Sequence, residues 1–202
     1  MHVTFPSNDL TLEGELTLPP GATRAGVICH PHPQYGGDMD NLVVRAVEAG
    51  LQAAGYATLR FNFRGAGRST GSYDGGGGEQ ADARAAAAYL RQRSGAASTT
   101  LSGFSFGAMV TVQAGHGLAT VDRLIVVAPP LVFFDLTSLT DCTKAKLFLV
   151  GDSDQYCSVS ELTRQLAGVS APKTHRILTG ADHFLHGFES AITAAVSSFA
   201  AG

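Results

Sequence analysis

The pentapeptide Gly103-Phe104-Ser105-Phe106-Gly107 sets a serine between two glycines in the spacing G-x-S-x-G. An apolar run precedes it and a helical stretch follows. A serine on a sharp strand-to-helix turn has its hydroxyl pushed out of the sheet edge. Small flanking residues let neighbouring backbone approach, and the helix start adds oriented N–H groups. The bland alternative is a small-residue turn with a capping serine. A serine hydroxyl is a poor nucleophile at neutral pH; it needs a base, and the base needs an orienting acid. Both follow in the order serine, acid, histidine: Gly151-Asp152-Ser153-Asp154 after the run Leu147–Val150, and Thr179-Gly180-Ala181-Asp182-His183 after a run ending at Leu178. Either Asp154 or Asp152 can be the acid, although Asp152, directly after a strand-end glycine, more naturally caps its loop. Asp182 lies too close to His183 along the chain to reach its ring easily. This set describes nucleophilic acyl transfer.

Other residues admit other chemistry. His30, His32, His183 and His186 make an H-x-H and an H-x-x-H pair that a metal could use. Against a metal centre, His30 and His32 lie in a proline-rich turn, no carboxylate has an obvious ligand role, and the serine turn would go unexplained. We therefore expect no metal and no cofactor, with His30 buried and hydrogen-bonded to backbone. The glycine-rich run Arg64 to Ser69 lacks the spacing of a phosphate-binding loop; Arg64 is expected to pair with Glu79 or Asp82. Cys29 and Cys157 read as small buried hydrophobes.

The elements that must position these residues follow from patterning. Runs at Gly26–Cys29, Ala57–Phe63, Thr99–Phe104, Leu124–Ala128, Leu147–Val150 and His175–Leu178 read as strands. Met39–Ala54, Gln80–Arg93, Phe106–Ala114, Ser158–Leu166 and Glu189–Phe199 read as helices. Alternation of strand and helix predicts an α/β fold: a mostly parallel central sheet with helices on both faces. No helix separates His2–Phe5 from Leu10–Leu18, where Leu10, Leu12, Leu16 and Leu18 share one face, so an antiparallel hairpin is expected at the sheet edge. The acid and the histidine each follow the C-terminal end of a strand, where open α/β sheets place their sites.

Composition excludes several classes. The 202 residues are 45% hydrophobic and 15% charged, which is incompatible with intrinsic disorder. Fourteen basic and 17 acidic residues leave no excess of positive charge to neutralise phosphates, so nucleic acid is not an expected partner. No apolar stretch approaches the ~20 residues of a membrane span, and the first residues, MHVTFPSNDL, have no basic or apolar region of a signal peptide. Three scattered cysteines make no disulfide framework. A soluble, cytoplasmic protein of one domain, residues 1–202, is the expectation; the glycine run Gly75–Gly78 reads as a loop rather than a domain boundary.

The segments HPHPQYGG (His30–Gly37), RFNFRGAGRSTG (Arg60–Gly71), GFSFGA (Gly103–Ala108), GDSD and ADHFLHG (Ala181–Gly187) occur in the order seen in small α/β-hydrolases. Over nearly the whole chain the sequence resembles the lidless branch related to dienelactone hydrolases. The resemblance implies Ser105 as nucleophile, His183 as general base and Asp154 as acid, without a cap, since the interval from Leu124 to Lys146 is short. An oxyanion hole needs two backbone N–H groups. One is expected from Phe106 and the other from the loop after the third strand, where Pro31 and Pro33 have no N–H. That leaves His32, with Gln34 or Tyr35 as alternatives. Tyr35, Leu131, Phe133 and Phe134 are candidates for substrate binding. The implied activity is that of a serine carboxylesterase on small short-chain acyl esters. A thioesterase, peptidase or acyltransferase on the same residues, and a non-catalytic scaffold that kept the fold, are the alternatives. A homodimer is a further possibility.

Overall fold

The computed structural model describes all residues 1–202. Along the chain these form β1 (His2–Ser7), β2 (Leu10–Thr17), β3 (Ala25–Cys29), α1 (Leu42–Ala53), β4 (Ala57–Phe61), α2 (Gly77–Ser94), β5 (Thr99–Phe104), α3 (Phe106–Gly115), β6 (Val121–Val127), β7 (Ala145–Gly151), α4 (Val159–Leu166), β8 (Lys173–Leu178) and α5 (Glu189–Ala201). One eight-stranded sheet runs in the order β1-β2-β4-β3-β5-β6-β7-β8. The hairpin β1–β2 is antiparallel, and β2 joins β4 antiparallel; every other pair is parallel.

The central strands are buried along most of their length because both faces are covered. Side chains alternate across a strand, so in β6 and β7 Leu124, Val126, Phe148 and Val150 enter one core with α2, α3 and α4. Ile125, Val127, Leu147 and Leu149 enter the other, with Val43, Val44, Val47 and Leu51 of α1 and Ile192 and Val196 of α5. The strand order reverses between β3 and β5: the chain leaves β3 toward β4 on one side and β5 toward β6 on the other. Such a switch point opens a crevice at the C-terminal strand ends. No helix is long and apolar enough to cross a membrane, and no cap domain interrupts the fold. The connection from β6 to β7 holds only a 3₁₀ turn, Thr137–Leu139.

Several boundaries differ from the sequence expectation, three of them for a polar reason. Helix α1 starts at Leu42 rather than Met39 because the Asn41 side chain accepts the N–H groups of Val43 and Val44, at 2.9 and 3.4 Å; such a cap contributes about 1 kcal/mol. Helix α2 starts at Gly77, inside the run expected as loop. Its buried Glu79 accepts the N–H groups of Gly76 and Asp74, at 2.8 and 2.9 Å, and so satisfies a helix start that glycine alone would disfavour. Strand β6 starts at Val121, before its apolar run, because Asp122 and Arg123 sit at its solvent end. In the hairpin, Leu12 and Leu16 are buried as expected, while Leu18 lies past the end of β2 and is exposed.

Candidate active site

Ser105 sits between β5 and α3 with φ 54° and ψ −118°. A non-glycine residue there carries backbone strain of about 1–3 kcal/mol. Its neighbours show what maintains it. A methyl group on Gly103 would lie 2.1 Å from the Gly107 carbonyl oxygen, and one on Gly107 would lie 2.3 Å from that of Cys29. Both glycines are therefore required by contact: α3 begins pressed against the end of β3. The strain is offset by the packing of Phe106, whose ring lies 4.9 Å from His32, 5.8 Å from Phe63 and 5.8 Å from Tyr73.

The Ser105 hydroxyl lies 2.8 Å from His183 Nε2, and His183 Nδ1 lies 3.0 Å from each carboxylate oxygen of Asp154. Asp154 Oδ1 also accepts the N–H groups of Tyr156 and Cys157, at 2.8 and 3.0 Å. His183 and Asp154 are both buried. Three loops thus contribute one continuous hydrogen-bonded chain, from the ends of β5, β7 and β8. With Nδ1–H donated to a carboxylate, Nε2 is left as an acceptor facing a hydroxyl, the state in which an imidazole can take a proton.

The remaining carboxylates and Arg64 have partners of their own. Asp152 Oδ1 accepts the Gly180 N–H at 2.8 Å and braces the β7 loop to the β8 loop. Asp182 accepts the N–H groups of Phe184 and Leu185 within its own turn. Arg64 chooses Asp82 over Glu79, through its backbone N–H, Nε and Nη2 at 2.8–3.1 Å.

In the loop after β3, the Gln34 N–H is spent on His32 Nδ1 at 3.2 Å, and the Tyr35 N–H on the His32 carbonyl at 3.1 Å. The N–H groups of His32 and Phe106 donate to no other protein group, and their rings are in contact. The His32 ring, accepting at Nδ1, is neutral; burial among its aromatic neighbours lowers its pKa, opposed by the nearby Glu79 carboxylate.

The histidines do not converge on a metal site: no three His, Cys, Asp or Glu side chains come together in a ligand geometry. His30 is buried beneath the loop, accepting the Phe63 N–H at Nε2 (3.0 Å) and meeting the Pro31 carbonyl at Nδ1 (2.5 Å). Burial lowers its pKa to about 4. His186 stacks on Phe184. Cys29 and Cys157 are buried, and desolvation raises both thiols, Cys157 to about 12, so neither supplies a thiolate.

The substrate-binding candidates separate. Tyr35 and Phe133 are 86% and 73% exposed, whereas Leu131 packs in the core and Phe134 against it. Phe133 touches Tyr156, which in turn touches His183. Tyr156 escaped the sequence reading, where the only signal was its place two residues after an aspartate able to form a tight side-chain turn.

Residues 32–141, more than half of the chain, match the family model described as alpha/beta hydrolase fold. The chain belongs to the alpha/beta hydrolase fold family. Among solved structures, an alpha-beta serine hydrolase homologue from Coxiella burnetii superposes with a TM-score of 0.90 at 33% identity, covering 98% of this chain and 96% of that one. A serine hydrolase without lid from Xanthomonas campestris gives a TM-score of 0.84 at 30% identity, covering 98% and 92%. An uncharacterized protein of Rickettsia prowazekii is 35% identical over 167 residues, 78% of this chain and 70% of that one. This alpha/beta hydrolase therefore shares its fold with proteins described as serine hydrolases.

Proposed function

We propose that the chain is a serine carboxylesterase that cleaves small, short-chain acyl esters through an acyl-enzyme on Ser105. The observation that carries this reading is the unbroken chain from the Ser105 hydroxyl through His183 to Asp154. As Ser105 Oγ bonds to the ester carbonyl carbon, its proton passes to His183 Nε2. The carbonyl oxygen becomes an oxyanion and accepts the N–H groups of Phe106 and His32. Collapse of this tetrahedral species breaks the bond to the leaving oxygen, which takes the proton from His183 and departs as an alcohol. Water then attacks the acyl-enzyme by the same route, giving a carboxylic acid and restoring Ser105. Asp154 remains ionised throughout and holds His183 in the tautomer that accepts at Nε2.

The substrate class rests on the mouth of the site. With no cap over it, and with Tyr35 and Phe133 standing exposed, the site favours short acyl groups over long lipids. The test has two arms. A fluorophosphonate probe should label the wild-type protein and leave Ser105→Ala unlabelled. On p-nitrophenyl esters of increasing length, kcat/KM should peak at acyl chains of two to six carbons. An unlabelled wild-type protein, or a Ser105→Ala variant that turns over esters normally, would remove the serine mechanism. A rate climbing steadily to long acyl chains at an oil–water interface would remove the substrate class.

A further inference from the structure

We infer that Tyr156 is a positioning residue for the His183 imidazole, an inference that rests on the serine-hydrolase reading above. Two hydrogen bonds hold that ring, Nδ1 to Asp154 and Nε2 to Ser105. Both act only at the nitrogens and bend softly, so they leave packing to limit a swing of the ring about its Cβ–Cγ bond. The relevant side-chain torsion is intrinsically broad. Aromatic contacts must supply the missing restraint. Phe104 and Phe184 stand 5.8 Å from the ring; Tyr156 stands closest, 4.7 Å away and edge-on at 71°.

Tyr156 is itself pinned. Its N–H donates to Asp154 Oδ1 at 2.8 Å. Its carbonyl accepts the Val132 N–H at 3.2 Å, from the loop that follows β6. On its far side lies the Phe133 ring, 6.0 Å away. One residue therefore holds the acid through its main chain and the base through its ring, so that acid and base keep their mutual geometry as one unit. The Tyr156 hydroxyl makes no hydrogen bond within the protein, which leaves the ring as the working part. A base tilted away from the serine oxygen loses its aim only when the proton moves. The loss should appear in kcat rather than in substrate binding.

The test compares Tyr156→Leu, Tyr156→Ala and Tyr156→Phe on p-nitrophenyl acetate, with thermal melting of each variant. Leu and Ala should lower kcat roughly tenfold, with KM within about threefold of wild type, the scale of a lost aromatic pair and a slightly misplaced group. Phe should restore kcat to within about twofold. A folded Leu variant with wild-type kcat overturns the inference. So does a loss confined to KM, or a Phe variant as poor as Leu, which would assign the role to the hydroxyl. Variants that no longer fold would make Tyr156 structural and overturn it as well. Wild-type protein that fluorophosphonate leaves unlabelled defeats the serine-hydrolase reading and this inference together. Labelled protein with unaltered kcat in the Leu variant defeats this inference alone.

Discussion

Replacing Asp154 with asparagine should cost far more than removing one charge, because the surrounding donors dictate how the amide sits. Asp154 Oδ1 receives the N–H groups of Tyr156 and Cys157. An asparagine that turned its NH2 toward them would set donors against donors and leave two N–H groups unpaired, at about 1–3 kcal/mol each. The amide oxygen therefore stays with those donors, and the NH2 faces His183 Nδ1. That oxygen already serves two donors and the NH2 has only Nδ1, equally 3.0 Å away, to serve, so the amide favours the tautomer in which Nδ1 accepts and the ring proton moves to Nε2, 2.8 Å from the Ser105 hydroxyl. An Nε2–H cannot take the serine proton. Turnover should fall by about 10⁴-fold, or about 5 kcal/mol of transition-state stabilisation. Asp152→Asn keeps an amide oxygen for the Gly180 N–H, and its exposed charge has no role at the ring, so it should lose less than about threefold. Both variants would be assayed in parallel for kcat/KM on p-nitrophenyl acetate, with melting curves as a fold control. A folded Asp154→Asn protein within tenfold of wild type, or the opposite ranking of the two variants, would refute this reasoning.

Two further outcomes follow from the loop after β3. His32 has φ −56° and an N–H without a protein acceptor, so proline fits its backbone; relative to His32→Ala, which loses the same ring contacts but keeps the N–H, His32→Pro should lower kcat a further 10²–10³-fold. Equal rates for the two folded variants would remove His32 as the oxyanion donor. His30 should make the fold acid-sensitive: with its pKa lowered from the ordinary 6.5 to about 4, the neutral ring's contribution is fully present above pH 6.5. It is lost as pH falls from 6.5 to 4, on the order of 3 kcal/mol. Urea midpoints followed across that range should fall more steeply for wild type than for His30→Gln, and identical slopes would contradict the assignment.

Much of the architecture was legible because it depends on patterning. Parallel strands covered on both faces are rich in apolar residues, and β3, the end of β6 and the middle of β7 announce themselves in this way. The serine turn was legible because its glycines are a matter of contact, and contact leaves a spacing in the sequence. What stayed open depended on which way a short polar side chain turns. Spacing does not distinguish Asp152 from Asp154, since each follows the same strand; the choice is made by donors at Gly180, Tyr156 and Cys157. Nor does it show that the Gln34 and Tyr35 N–H groups are spent inside their own turn. Within the apolar run near the rim, Leu131 lies in the core while Phe133 is exposed, a difference that composition alone does not show. Tyr156 was invisible for a related reason, since its importance lies in a ring contact with a residue far along the chain.

His183 follows β8, and β8 is an edge strand, paired only with β7 and largely exposed along its length. Edge elements with few buried contacts open before the core does. The proposed base is therefore carried at the margin of the sheet, while the proposed nucleophile follows β5 in its interior. A partial opening of β8 would silence the chemistry while leaving the rest of the sheet intact. The same arrangement orders events during synthesis. Ser105 and its turn emerge from the ribosome well before His183, so the nascent chain carries an inert serine until its last strand has docked.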